Sequence, residues 1–145
     1  MKPFALARVL QLAERHSETL SRSVKQAHGE WLRARGRLVQ LQTLRDAHLA
    51  RDALDLRDGV AATRLHAIHR LQHDQAAERQ VAQAVIDALW QVWQTRLAEW
   101  MQAEQRVKAY RLLRERHLAQ RATQQKHNEQ RQHDELVALA HRRIR

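Results

Sequence analysis

His66, His69 and His73 stand at steps of three and four, with Asp74 beside the last. On a helix that spacing puts three imidazoles on one face, and paired histidines at this separation can bind zinc. The competing reading is a polar helix start, so these residues remain an open metal candidate. Ser17, Ser21 and Ser23 lie near His16 and Glu18. Adjacent helical residues point apart, so no Ser-His-acid relay can form there. No Gly-rich phosphate loop is present. The chain has no Cys, which removes disulfides and thiolate metal sites. The residues thus supply no catalytic constellation and no cofactor site, and the chain reads as a non-enzyme.

LWQVWQTRLAEW, residues 89–100, concentrates three of the four tryptophans. Aromatic rings can stack unpaired bases when they are exposed among basic side chains. Here Trp90, Trp93 and Trp100 alternate with Ile86 and Leu97, which favours a buried stripe.

Long helices must position these residues. Only three Gly and one Pro occur in 145 residues, against roughly ten and seven in an average chain. From Leu6 a three-and-four alternation runs through Leu10, Ala13, Ser17, Leu20, Val24, Ala27, Trp31, Ala34, Leu38 and Leu41. Only Ser17 interrupts it, and the pattern is a coiled-coil seam. Leu44 and His48 continue it with an expected shift of phase. Gly29 and Gly36 are tolerated inside this helix at up to about 1 kcal/mol each. Asp58-Gly59 is the strong interior turn signal. Thr63 is the expected N-cap of the second helix. A second stripe reads Ile86, Trp90, Trp93, Leu97, Trp100, Glu104 and Val107, then Tyr110 and Leu113, ending in Leu136 and Leu139.

The expected fold is all-α: two long helices forming an antiparallel coiled-coil hairpin, a single domain over residues 1–145. Helix 1 is expected over about 4–57, the turn over about 58–62 and helix 2 over about 63–140. Residues whose numbers sum to about 120 should face each other across such a hairpin. Trp31 then meets Trp90, and Leu10 lies near Tyr110. The principal seam residues are Leu10, Leu20, Val24, Trp31, Leu38, Trp90, Trp93, Leu97, Trp100 and Val107. At 1.5 Å per residue the second helix outruns the first by roughly 35 Å.

The formal charge is +10. It concentrates at residues 106–145, where 11 basic side chains meet 4 acidic. Such an excess fits an acidic partner, and any +10 chain binds nucleic acid weakly at low salt. The tail lacks the dense, base-reading composition of a DNA-binding basic region, so no physiological nucleic acid is expected. No apolar window reaches the length of a membrane span, and the opening MKPFALARVLQLAERH is charged too early for a signal peptide. The expected compartment is the cytoplasm.

WMQAEQRVKAYRLLRER, residues 100–116, resembles the flagellar FliJ family through Trp100, Arg106, Val107, Ala109, Tyr110, Leu113, Glu115 and Arg116. ALARVLQLAE near the start, DGVAATR at 58–64, and Asp134, Glu135 and Leu136 near the end fit the same alignment. The resemblance covers nearly the whole chain. It implies a stalk-like coiled coil of the flagellar type III export apparatus. The expected partners are the hexameric export ATPase, the cytoplasmic domain of the export gate, and export chaperones, with membrane association only through these proteins. A virulence secretion stalk, a coiled-coil adaptor and a nucleic-acid binder are the alternatives.

The resemblance places both termini in the ATPase pore, which makes Arg8, Arg15, Arg114, Arg116, Arg121, Arg142 and Arg143 the candidate contacts. It also marks Arg37, Leu41, Leu44, His48 and Leu71 as candidate gate contacts. At the matching positions Gln75 and Glu78 depart from the family's pattern, and Ala82 completes the set.

Overall fold

The computed structural model describes residues 3–144. Helix α1 spans Ala7–Asp58 and helix α2 spans Ala62–Ile144. The two long helices pack against each other as an antiparallel hairpin, and no strand forms among the described residues. Gly59 takes φ 87°, the left-handed conformation that ends α1 without a Cβ clash. Ala61, not Thr63, accepts the first α2 bond, from the Leu65 N–H at 3.0 Å. The left-handed glycine turns the chain so tightly that Thr63 already lies inside the first turn. At the other end α1 begins at Ala7 rather than residue 4, where the Ala7 N–H reaches the Phe4 carbonyl at 3.1 Å.

The chain falls into two compact units. One joins Met1–Glu18 to Met101–Arg145, and the other is Thr19–Trp100. Each pairs a piece of α1 with a piece of α2.

In the second unit, Leu20, Val24, Trp31, Leu38 and Leu41 of α1 are half-buried and Ala27 is buried, as their spacing predicts. Beyond Leu41 the alternation does not shift phase. It continues at the same steps through Arg45, His48, Asp52 and Asp55. Leu44 lies off the seam and is 48% exposed. His48 has a partner across the pair, whereas Arg45 pairs with its neighbour Asp46 on the same helix at 3.2 Å and the buried Asp52 carboxylate has guanidinium groups near it but no hydrogen bond. Gln75 Nε2 donates to His48 Nδ1. Asp52, only 2% exposed, sits 3.6 Å from Arg51 and 3.9 Å from Arg64, and Arg64 also reaches Asp55 at 3.3 Å. From α2 this unit buries Ile68 and Ile86, with Leu89, Trp93, Leu97 and Trp100 half-buried.

Trp90 is a correction to the expected seam, at 43% exposed. The inward positions are 86, 89 and 93, so Leu89 fills the space. Trp90 sits about 60° round the helix from Trp93, three residues on at 100° each. At the tryptophans the facing position comes about one turn later in α2 than a sum of about 120 gives, whereas Ser17–Glu104 and Phe4–His117 keep to within one residue of it. Trp31 therefore meets Trp93, with ring centroids 5.1 Å apart, and His28 packs on the same indole at 4.5 Å.

In the first unit, Leu10, Ala103 and Val107 form the apolar centre, and Val107 is 1% exposed. The two polar interruptions of the predicted stripes are partners here, because the buried Ser17 Oγ donates to the Glu104 carboxylate. Arg111 bonds Glu14 at 3.3 Å. Phe4 packs over His117 at 5.6 Å between centroids. Leu113, Leu136 and Leu139, expected on the stripe, are exposed. Phe4, just ahead of α1, meets α2 at His117, Arg121 one turn on is still half-buried, and every described residue after it is exposed. Past His117 the same face of α2 turns polar, reading Arg121, Gln124, Gln125, Asn128 and Gln132.

Candidate interaction surfaces

All seven candidate ATPase contacts fall in the first unit. Arg8 and Arg114 line one open cleft with Leu10 and Glu14. Arg15 and Arg116 are exposed, and Arg121 is half-buried. Arg142 and Arg143 occupy the last turn of α2. There they complement the negative end of the helix dipole, and both are exposed. These guanidinium groups do not converge on one patch. From Arg114 to Arg143 they mark about 44 Å of helix at 1.5 Å per residue. Every described residue from 122 to 144 is exposed. This stretch thus offers all its sides, with basic heads and the apolar Leu136, Val137, Leu139 and Ile144.

The five candidate gate contacts fall in the second unit. Arg37 and Leu44 are exposed, whereas Leu41, His48 and Leu71 are half-buried. Leu41 and Arg37 line an open cleft of about 570 Å³ between the helices, opposite Asp74, Ala77, Glu78, Val81 and Val85. His48 is engaged with Gln75. Val81 and Val85 lie outside the seam expectation. Their signal in the sequence is a second apolar spacing on α2, beside the stripe that packs on α1 and bordering this cleft.

Trp31 and Trp93 do not form an open stacking platform, whereas Trp90 is exposed. Trp31 and Trp93 cover each other, His28 fills the space beside them, and the Arg35 guanidinium lies over the Trp31 ring at 4.8 Å. That arrangement is a packed aromatic cluster with a surface cation–π contact. His66, His69 and His73 are exposed. Among the described residues no group of three His, Cys, Asp or Glu is placed to hold a metal ion. Among the same residues no helix is long and apolar enough to cross a membrane.

Comparison with curated proteins and with solved structures gives no match. A family model described as "Flagellar FliJ protein" matches residues 1–145, the whole chain. With its two-helix architecture and its whole-length match, the chain belongs to the flagellar FliJ family, a component of the flagellar export apparatus.

Proposed function

We propose that the chain is the stalk of that apparatus, a non-enzymatic rod with no cofactor that works by contact alone. Its terminal unit enters the ring of the hexameric export ATPase and promotes ring assembly and hydrolysis. Its other unit meets the cytoplasmic domain of the export gate and export chaperones. It is cytoplasmic and reaches the membrane only through these proteins.

The observation that carries this reading is the whole-length family match on a helical pair whose basic charge gathers in the terminal unit. A helix exposed on every side from residue 122 to residue 144 suits insertion into a ring. An acidic ring lining would attract Arg114, Arg142 and Arg143 and speed the encounter. A single rod in a sixfold ring touches its subunits unequally. That difference in contact free energy between subunit states is what coupling requires.

The test is addition of the chain to its cognate ATPase, with hexamer formation and hydrolysis both read. Both should rise. Reversing Arg114, Arg142 and Arg143 to Glu should reduce the stimulation without loss of helical circular dichroism. Undiminished stimulation by the reversed variant overturns the stalk assignment. Leu44→Asp should weaken gate binding without loss of helicity, because Leu44 is off the seam. Leu71→Asp needs the helicity reading beside it, because Leu71 is half-buried.

A further inference from the structure

Helix α2 carries a second apolar stripe that is left exposed, although at Ala77, Val81 and Val85 it borders the open cleft toward Arg37 and Leu41 of α1. Ala77, Val81, Ala84, Ala88 and Val92 recur at steps of four, three, four and four, with Val85 on the flank. All six are exposed, and Val81 is 65% exposed. A solvated helix needs one apolar face, the one it lays on its partner. A second contiguous face marks an interaction surface.

The stripe is complementary to its own reversal. Placed antiparallel on a second copy of itself, it sets Val92 on Ala77, Val81 on Ala88 and Val85 on Ala84. Each isopropyl group then meets a methyl group, which lets two helices approach to about 8–10 Å. The charges obey the same symmetry. Arg70 stands seven residues before Ala77, and Glu99 seven residues after Val92, both on the stripe's side of the helix. The reversal that pairs Ala77 with Val92 also pairs Arg70 of one copy with Glu99 of the other, at both ends. Glu99 now bridges Arg96 at 3.4 Å, with both side chains over 40% exposed. A surface pair of that kind contributes little and is readily exchanged. A contact in which each residue meets its counterpart through a twofold axis is the isologous form that closed dimers take.

We propose that two copies of this chain pair antiparallel through the 70–99 face of α2. The occupant is a second copy because size and charge both match under one reversal. A face meant for an unrelated helix has no reason to satisfy that condition. The paired length is about 45 Å at 1.5 Å per residue.

Sedimentation equilibrium of the full chain tests this. The native protein should approach about 34 kDa, twice the 17.1 kDa of one chain, as concentration rises. Val81→Glu should hold it at the monomer mass with unchanged helical circular dichroism, since Val81 faces solvent in the single chain. Arg70→Glu and Glu99→Arg should each raise the dimer Kd about tenfold, and the two together should restore it. A native chain that stays monomeric at every concentration overturns the proposal. So does a dimer indifferent to Val81→Glu, or a double charge exchange that restores nothing.

Discussion

Replacing Ser17 by Ala isolates one hydrogen bond. Ser17 is buried on the α1 side of the seam, and its hydroxyl donates to the Glu104 carboxylate of α2. The substitution removes one oxygen and opens almost no cavity, so the loss is the bond itself. A bond to a charged acceptor contributes about 1.5–3 kcal/mol. Glu104 keeps some solvent access, and water can replace part of what Ser17 supplied. That moves the expected cost to about 1–2 kcal/mol, or a Tm fall of about 3–6 °C for a chain of this size. Adding Glu104→Leu removes the carboxylate that Ser17→Ala strands, and the double variant should recover most of the loss. The assay is urea unfolding followed by helical circular dichroism on the four proteins of a double-mutant cycle. A coupling below about 0.3 kcal/mol refutes the claim that these two interruptions stabilise each other.

The aromatic cluster makes a second prediction with the same assay. Trp93→Ala should cost about 3 kcal/mol or more, because it strips the rings of Trp31 and His28 of their cover. Trp90→Ala should cost under about 1 kcal/mol; equal costs would put Trp90 back in the seam. The glycines divide by backbone. Gly36→Ala should stabilise by about 0.5–1 kcal/mol, because a methyl group there meets open space on a regular helix. Gly59→Ala should destabilise by about 1 kcal/mol or more, because φ 87° strains any residue with a Cβ. Melting temperatures that move in the same direction for both would contradict this division.

The pairing of two helices was legible because an alternation interrupted only at Ser17 runs from Leu6 to Leu41 and a lone Asp-Gly lies between the halves. The continuation through Arg45, His48, Asp52 and Asp55 was not. Hydropathy cannot distinguish a polar residue turned inward from one turned out, because the difference rests on a partner in the other helix. His48 belongs to the seam because of Gln75, and Asp52 is buried there with Arg64 no nearer than 3.9 Å. Trp90 misled for the opposite reason. A large ring three residues from another looks like part of the same face, yet Leu89 takes the inward place. The contact surfaces were legible only as charge and as a second apolar spacing. Exposed side chains are under no packing constraint, so sequence periodicity alone does not say what they meet.

The polar residues of the seam have a consequence apart from stability. Apolar residues repeat every seven positions along α1, as at Leu6, Ala13, Leu20, Ala27, Ala34 and Leu41, so a slide of α1 by one heptad would still present an apolar face to α2. It would also move Ser17 away from Glu104, His48 away from Gln75 and Asp52 away from Arg64. A slid pairing would bury a carboxylate and an imidazole against hydrocarbon, an error of several kcal/mol that apolar contact cannot repay. Each unit carries its own mark of this kind. The polar interruptions act as index pins, letting a nearly repetitive pair of helices settle in one alignment.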